Sequence, residues 1–451
     1  MTTALPPKGM RDFLPAAVAA RERVVATVKR VFESFGYAPL ETPALERLDV
    51  LTGKYGEEAD KLIFRILKRG EGAAREEADL GLRYDLTVPL ARVIAAHRDL
   101  PRPFKRYQIQ PVWRAEKPQK GRFREFVQCD VDCVGTPSMT ADAEIIAITY
   151  ETLAALGFEK FRISINHRKV LSAFIDAAGV PAALKYAAIR AIDKRDRVGR
   201  DGVTRELTKL GLADATVDEL INILFERYAR GDFEYYVEVA ERTALKWPEA
   251  RAGLAEMKEL RRFVDAFGVP AKVTSYDLHM ARGLDYYTGP IFETIIPEAG
   301  VGSVTGGGRY DHLISLLGGP DAPATGTTIG LERIITLLEE KADAPPASGY
   351  ADAMVATYDA ATAEEAIKLA RDLRAAGFKV EVYLDPQAKL AKQFSYADAK
   401  GIRFVAVVGP DEISDGTATV KDLKSRRQRT IPRAELIAYL SRELAAPPPE
   451  K

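Results

Sequence analysis

Hydrophobic spacing near the start of the chain changes from a helical to an extended pattern. Apolar residues recur every three or four positions, as on one face of a helix: Val24, Val28, Val31, Phe32 and Phe35. Gly36 follows as a stop signal, and a proline-punctuated extended segment then covers residues 37–43. Residues 80–135 are predicted to be mainly strands with loops between them, and residues 161–165 are another strand candidate.

Residues from about 168 to 265 are predicted to form a helix-rich insertion. One helical stripe in this stretch comprises Val217, Leu220, Ile221 and Leu224. Thr216 and Glu219 have the spacing of a capping box, which would start this helix. Removal of the insertion would bring together two strand-rich parts of the chain, residues 80–165 and 272–335.

A separate α/β domain of about a hundred residues is predicted at the C-terminal end. Residues 342–349, with the sequence ADAPPASG, form a small, proline-rich linker ahead of it. One strand face would carry Phe378, Val380, Val382 and Leu384. Asp385 and Pro386 would then open a helix, and residues 404–408 form the next strand. The proline-rich residues 447–449 are expected to be a frayed end.

Composition narrows the class of protein further. The chain has 451 residues, 47% of them apolar and 29% charged, which is typical of a globular protein of about three domains. Its 65 basic and 65 acidic residues balance, so net charge neither supports nor excludes a nucleic-acid partner. Cys129 and Cys133 are the only cysteines, which favours a reducing compartment and argues against a zinc site. The opening residues lack a signal peptide, and no apolar run reaches the roughly 18 residues needed to span a bilayer, so a soluble, cytoplasmic protein is expected.

The segment from residue 113 to residue 135 carries candidate chemistry. Val127, Cys129, Val131 and Cys133 alternate with Phe126, Gln128, Asp130 and Asp132. A strand of this period places an aromatic ring and polar groups together on one face. Alternation alone favours an ordinary solvent-facing strand.

A basic loop changes that balance. Lys117, Lys120, Arg122 and Arg124 occupy the loop between this strand and the one that ends at residues 113–116. A basic hairpin tip suits phosphate contacts, and Phe126 could stack on a base.

Two later segments are also dense in functional groups. Residues 282–289, RGLDYYTG, place an arginine beside two phenols, and arginine is the usual side chain where a phosphate is held away from water. A surface turn with ordinary strand tyrosines is the alternative. Gly302, Gly306, Gly307 and Gly308 are predicted to form a tight turn at which the backbone approaches a ligand or another strand. The four histidines lack a partnered nucleophile or metal-ligand spacing and are expected to be structural: His97, His167, His279 and His312.

At these positions the chain resembles the histidyl-tRNA synthetases, a family of class II aminoacyl-tRNA synthetases, over nearly its whole length. Residues 8–15, KGMRDFLP, are similar to the family's opening signature. Residues 37–43 with Glu46 resemble motif 1, residues 114–128 resemble motif 2, and residues 326–333 resemble motif 3. RGLDYYTG resembles the histidine-specific signature of this family, which distinguishes it from other class II enzymes.

The resemblance implies an α+β fold, with an antiparallel class II synthetase sheet flanked by helices, a helical insertion and a C-terminal α/β anticodon-binding domain. It divides the chain into the first part of a catalytic core (1–167), the insertion (168–265), the second part of the core (266–341) and the anticodon-binding domain (350–445). Residues 392–397 and 408–412 resemble pieces of that last domain. Its basic run could contact tRNA phosphates or be a solvated hairpin, and the two interpretations are equally weighted: Lys421, Lys424, Arg426, Arg427 and Arg429.

The resemblance also implies a role for each candidate site residue. Catalytic and ATP-binding groups would be Arg114, Glu116, Phe126, Arg282 and Arg333. Histidine-binding residues would be Asp85, Leu86, Thr87, Gln128, Asp132, Tyr286 and Tyr287. Asp85 and Asp132 stand where many members have glutamate. The aspartates retain the negative charge but reach less far by one methylene.

The implied reaction joins ATP and L-histidine into a histidyl-adenylate and transfers the histidyl group to histidine tRNA, releasing pyrophosphate and AMP. Mg²⁺ would be bound mainly through the ATP phosphates, and the chain would form a homodimer through motif 1. The alternative is a non-catalytic paralogue that acts as the regulatory subunit of ATP phosphoribosyltransferase. Such subunits lack the anticodon domain and lose the signature arginines, whereas Arg114, Arg282 and Arg333 are all present here.

Overall fold

The computed structural model describes residues 4–53, 60–69, 75, 77–119, 121–223, 225, 231–282, 286–297, 300–340 and 350–445. Several predicted features lie outside these residues: Lys120, Leu224, residues 283–285 of the signature, the linker 342–349 and the C-terminal prolines. The chain divides into two compact units, Met1–Asp12 with Arg23–Glu340, and Phe13–Glu22 with Lys341–Lys451. No helix within the described residues has the length and apolar character needed to cross a membrane.

Helices and strands alternate irregularly along the chain. The α-helices are α1 (Pro15–Ser34), α2 (Leu48–Leu51), α3 (Thr87–Ala96), α4 (Met139–Ala155), α5 (Arg168–Ala177), α6 (Lys185–Asp193), α7 (Arg195–Lys209), α8 (Asp214–Asn222), α9 (Phe233–Ala244), α10 (Pro248–Ala266), α11 (Leu331–Glu340), α12 (Ala363–Ala375), α13 (Leu390–Ala399), α14 (Pro410–Asp415) and α15 (Arg433–Ala445). The strands are β1 (Ala38–Pro39), β2 (Leu45–Arg47), β3 (Arg65–Leu67), β4 (Ala78–Leu82), β5 (Phe104–Trp113), β6 (Glu125–Val134), β7 (Arg162–His167), β8 (Thr274–Tyr276), β9 (Pro290–Ile295), β10 (Thr305–Arg309), β11 (Ala324–Gly330), β12 (Ala353–Thr357), β13 (Val380–Val382), β14 (Phe404–Val408), β15 (Thr417–Asp422) and β16 (Gln428–Pro432).

The first unit is built on an eight-stranded sheet in the order β1-β5-β6-β11-β10-β9-β7-β8. Its six central strands pair antiparallel, and only the outer pairs β1–β5 and β7–β8 are parallel. The predicted alternation along β6 is confirmed, since Cys129, Val131 and Cys133 enter the main hydrophobic core while the intervening residues face the other side. A smaller antiparallel sheet, β2-β4-β3, belongs to the same unit.

The predicted N-terminal helix is confirmed as α1. Val24, Val28, Val31 and Phe32 are its buried residues, and Gly36 follows with a φ of 76°, the left-handed conformation that suits a helix stop. Helix α3 was not predicted, because residues 80–135 were assigned mainly to strands. It begins at Thr87, two residues after Asp85, whose carboxylate accepts hydrogen bonds from the first two amides of the helix.

The described part of residues 168–266 contains helices α5 to α10, in agreement with the predicted helix-rich composition. The predicted capping box is wrong. Helix α8 begins at Asp214, and the amides of Thr216 and Val217 already donate to the carbonyl of Ala213, so Thr216 lies inside the first turn. The apolar stripe was placed correctly, because Val217, Leu220 and Ile221 are buried.

The second unit contains a five-stranded sheet in the order β13-β12-β14-β15-β16. β12 pairs parallel with β13 and β14, which confirms the predicted α/β alternation and the strand at residues 404–408. The predicted helix start at Asp385 is wrong. The Asp385 carboxylate accepts from the Gln387 amide and closes a turn instead, and helix α13 begins only at Leu390. Leu384 is 93% exposed and takes no part in the strand face assigned to it.

Candidate functional site

The polar face of β6 lies at the centre of the large sheet and is buried. Asp132 is paired across the sheet with Arg106 of β5 on one side and Gly326 of β11 on the other. Asp130 is likewise paired with Gln108 and Thr328. Because paired residues of neighbouring strands project to the same face, this register assembles two carboxylates, a guanidinium and an amide away from water.

Asp132 is the most constrained of these groups. Its Oδ2 lies 2.8 Å from Nη2 of the fully buried Arg106, and its Oδ1 accepts a 2.5 Å hydrogen bond from the Tyr310 hydroxyl. A β-carbon on Gly326 would overlap the carboxylate, so glycine is required on that strand. Burial raises the pKa of Asp132, and Arg106 opposes this shift.

Asp130 and Gln128 form the second part of the buried polar face. Burial raises the pKa of Asp130 to about 7, against the attraction of Arg106 and together with the repulsion of Asp132. Gln128 donates through Nε2 to Asp130 Oδ1 at 3.3 Å and to Thr328 Oγ1 at 3.1 Å. Its Oε1 is buried without a donor from the described part of the chain, and therefore offers a site for a ligand N–H group.

Asp85, Leu86 and Thr87 lie beside this face, at the start of α3. Oδ1 of Asp85 accepts from the amides of Thr87 and Val88 at 3.1 and 3.0 Å, which orients the buried carboxylate. The Leu86 carbonyl accepts from Arg106 Nη2 at 3.2 Å. Arg106 thus connects the start of α3 with Asp132.

Three phenol rings line the next part of the site. The ring centroids of Tyr286 and Tyr287 are 4.9 Å apart, and those of Tyr286 and Tyr310 are 5.8 Å apart. Burial raises the pKa of both Tyr286 and Tyr287. The nearby Arg282 opposes this shift at Tyr287, but the pKa of Tyr287 is still raised. The phenols therefore stay protonated and can donate hydrogen bonds.

Arg282 lies across the glycine-rich strand β10. A β-carbon on Gly306 would fall 2.5 Å from its guanidinium, and Glu293 Oε2 lies 3.5 Å from its Nη1. The predicted tight turn at Gly306 to Gly308 is wrong, since these residues form a central strand. The close approach behind that prediction is real, because a side chain at Gly307 would collide with the backbone of Gly326.

Arginines from distant parts of the sequence converge beside Arg282. Burial, together with the repulsion of Arg122, Arg114 and Arg282, lowers the pKa of Arg333 to about 10. Arg333 donates through Nη1 to the Ser303 carbonyl. A partly buried cluster of like charges of this kind is suited to a polyanionic ligand.

Arg114 and Phe126 stand next to each other at the end of the β5–β6 hairpin. The Arg114 guanidinium lies 4.2 Å from the Tyr84 ring centroid and 5.2 Å from that of Phe126, and its Nε donates to the Tyr84 carbonyl at 3.1 Å. Glu116 lies in the connecting loop, 3.8 Å from Arg122. The predicted basic hairpin tip is confirmed for its described residues.

The N-terminal segment contacts the loop of the β5–β6 hairpin and the start of α11. Arg11 forms a 2.5 Å ion pair with the buried Glu332 at the start of α11, and its guanidinium lies 3.3 Å from the Phe123 ring centroid. The Arg124 amide donates to the Gly9 carbonyl at 2.8 Å. Residues 9–11 therefore belong to the structure that positions the loop of residues 114–124.

Three residues that support the site were missed by sequence reasoning: Arg106, Tyr310 and Glu332. Asp130 was placed on the polar strand face but was given no role. Arg106 could have been found from the hairpin register, which pairs it with Asp132. Tyr310 directly follows the glycine strand, and its phenol reaches back to β6 only because β10 and β11 are adjacent. His167, for which no chemistry was predicted, is buried and bonded to Glu256, whereas His312 is exposed.

Comparisons with known proteins agree with this arrangement. The family model described as "Histidyl-tRNA synthetase" matches residues 9–334, and the one described as "Anticodon binding domain" matches residues 352–443. The histidine–tRNA ligase of Gloeobacter violaceus is 41% identical, over 94% of this chain and 96% of that protein.

Solved structures resemble the chain in the same way. The crystal structure of histidyl-tRNA synthetase from Nostoc sp. PCC 7120 has a TM-score of 0.82 at 32% identity, over 98% of this chain and 100% of that one. A protein from Bacillus halodurans, described as an ATP phosphoribosyltransferase regulatory subunit/histidyl-tRNA synthetase, has a TM-score of 0.72 at 26% identity, over 88% and 97% of the two chains. The predicted α+β fold class, with its C-terminal anticodon-binding domain, is confirmed.

The buried Asp130 predicts how stability depends on pH. Its pKa in the folded protein is about 7 and its ordinary value is 3.8, so the folded chain holds a proton that the unfolded chain releases between these values. Protonated Asp130 therefore stabilises the folded state fully below pH 3.8, and this stabilisation is lost as the pH rises through 7. We expect Asp130→Asn to raise the melting temperature relative to wild type by several degrees more at pH 8 than at pH 5. Equal differences at the two pH values would contradict the assigned ionisation.

Proposed function

Because the chain belongs to the histidyl-tRNA synthetase family, we propose that it attaches L-histidine to histidine tRNA, using ATP and forming a histidyl-adenylate. The observation that carries this proposal is the convergence of Arg114, Arg282 and Arg333 beside a buried slot of carboxylates and phenols. The cations suit a triphosphate, and the slot suits a small polar side chain with nitrogen donors and acceptors.

In this proposal the arginines and the hairpin hold ATP. Arg114 contacts the α-phosphate, and Phe126 lies under the adenine. Arg333 lies above the adenine and toward the γ-phosphate, and Glu116 helps to place the nucleotide. The mutual repulsion of these guanidiniums supports the assignment, since a bound polyanion would relieve it.

Mg²⁺ fits this site as a companion of ATP. No group of three or more potential metal-ligating side chains occurs among the described residues, although Glu116 lies beside Arg122 and Glu293 lies beside Arg282. Mg²⁺ would therefore be held mainly by phosphate oxygens, where it offsets the charge of the departing pyrophosphate.

The polar slot would hold histidine. Asp85, Thr87 and Gln128 receive the α-ammonium, for which the unsatisfied Oε1 of Gln128 supplies a buried acceptor. Asp132 and Tyr287 bond the two imidazole nitrogens. Leu86 and Tyr286 shape the slot. Asp132 already binds Arg106 and Tyr310, but a carboxylate has about four lone-pair sites and retains the capacity to accept from the substrate.

The first step brings two anions together. A carboxylate oxygen of histidine attacks the α-phosphorus of ATP, and the bond from that phosphorus to the oxygen of the β-phosphate breaks to release pyrophosphate. Arg114 and Arg282 would stabilise the negative charge that spreads over the α-phosphate oxygens. The attacking carboxylate is already ionised, so a side-chain base is not required.

The second step is acyl transfer. A terminal ribose hydroxyl of the tRNA attacks the carbonyl carbon of the mixed anhydride, the bond to the phosphate oxygen breaks to release AMP, and the hydroxyl proton passes to a phosphate oxygen of the departing AMP. A wrong amino acid that does not donate to the buried Oε1 of Gln128 would leave this acceptor unsatisfied, at a cost of roughly 1–3 kcal/mol.

We assign the segments of the chain to the same domains as the family resemblance does. Residues 1–167 and 266–341 form the two parts of the catalytic core, 168–265 the insertion, and 350–445 the anticodon-binding domain. The basic run of residues 421–429 lies on the β15–β16 hairpin of that domain and is proposed to contact tRNA phosphates. The regulatory-subunit alternative is not favoured, because the three arginines and the anticodon-domain match are both present.

We expect a homodimer, in which motif 1 contributes to the interface. The small sheet that follows motif 1 exposes Leu45, Ile66 and Leu67, an apolar surface that a second copy could cover. Sedimentation at micromolar concentration should give a mass twice the 49.6 kDa of one chain. A monomer under these conditions would refute this part of the proposal.

Arg282→Ala tests the catalytic assignment. Loss of the guanidinium should abolish histidine-dependent ATP–pyrophosphate exchange, a decrease of about a hundredfold or more, without unfolding the protein. Cooperative thermal melting of the variant controls for the fold. Exchange at the wild-type rate would overturn the role of Arg282.

A further inference from the structure

The junction between β7 and α5 touches both ends of the signature segment, residues 282–289. The buried Arg168, first residue of α5, donates through Nη1 to the Arg282 carbonyl at 3.1 Å. Its backbone amide donates to the Gly289 carbonyl at 2.9 Å. A single residue thus fixes the start of the segment through its side chain and the end through its backbone.

Asn166, two residues before Arg168, anchors the chain that leads into this segment. Asn166 donates through Nδ2 to the carbonyls of Leu278 and Met280, at 3.2 and 2.8 Å. Its Oδ1 accepts from the hydroxyl of Tyr236, a fully buried residue of α9. The chain leading into Arg282 is therefore anchored at successive points by one junction.

Helices of the insertion hold the junction itself. Glu256 of α10 bonds His167 Nε2 at 2.7 Å and Lys169 Nζ at 2.6 Å, on either side of Arg168. Arg195 of α7 forms a second connection, 3.3 Å from the buried Asp277. These contacts tie α7, α9 and α10 to the segment that carries Arg282.

We propose that Arg168 is a positioning residue for Arg282, through which the helical insertion takes part in adenylate formation. The inference rests on the proposed function and extends it to residues that do not contact substrate. Without the bond to the Arg282 carbonyl, the guanidinium of Arg282 would lose its fixed place across Gly306. A displacement of about 1 Å at a reacting group can lower the rate by about a hundredfold.

Substitution at Arg168 should lower kcat while it leaves KM for histidine nearly unchanged. The backbone bond from Arg168 to Gly289 survives any side-chain change, so the end of the segment that bears Tyr286 and Tyr287 keeps its anchor. We therefore expect Arg168→Met to lower kcat of histidine-dependent pyrophosphate exchange, without tRNA, by at least about tenfold. KM for histidine should stay within about twofold of wild type.

A matched control lies in the same insertion. Lys185 forms a 2.7 Å ion pair with Asp176 of α5 and makes no hydrogen bond or ion pair with residue 282 or residues 286–289, the part of the signature that the structure describes. Lys185→Met should leave both kcat and KM unchanged. If Arg168→Met fails to melt cooperatively, Arg168→Lys carries the test, since it keeps the buried charge but not the planar reach of the guanidinium.

A double-mutant cycle distinguishes positioning from general support of the fold. In an Arg282→Lys background, Arg168→Met should lower kcat by less than about twofold, because the group it positions has been changed. An equal loss in both backgrounds, or a kcat equal to that of wild type in the single variant, would overturn the inference. An inactive wild-type protein would instead refute the proposed function.

Discussion

Guanidinium groups that are gathered in a small volume repel each other, and the site depends on a framework that holds them close together. Arg333 shows the cost of this most directly, since its pKa is lowered to about 10 by burial and by three neighbouring arginines. Backbone carbonyls form part of this framework: the Tyr84 carbonyl accepts from Arg114, and the Ser303 carbonyl accepts from Arg333. These two neutral acceptors orient Arg114 and Arg333 without cancelling their positive charge.

On the acidic side of the site, by contrast, a charged partner compensates the buried carboxylate. Asp132 is compensated by Arg106 and by the Tyr310 hydroxyl, so its charge is held in one orientation. Space for both sides comes from glycine, because Gly306 admits the Arg282 guanidinium and Gly326 admits the Asp132 carboxylate. The central strands of the sheet thus position the functional groups and also leave room for them.

Sequence patterns predicted the elements but not how they meet. The period of β6 and the stripe on α1 were correct, because burial on one face imposes a regular apolar spacing. Helix starts were less predictable: α8 begins before its apparent capping box, and α13 begins after a turn closed by Asp385. The contact of Tyr310 with Asp132 depends on the adjacency of β6, β11 and β10, which local spacing does not encode, whereas Arg106 follows from the register of the β5–β6 hairpin. The roles of the site residues came from resemblance to a family and remain predictions for this chain.

The central claim is that converging cations and an acid–phenol slot select histidine for adenylation. Amino-acid-dependent ATP–pyrophosphate exchange, measured separately with each of the twenty standard amino acids, tests it most directly. The account predicts exchange with histidine at least about a hundredfold faster than with any other amino acid. Exchange driven as well or better by another amino acid, or by none, would contradict it.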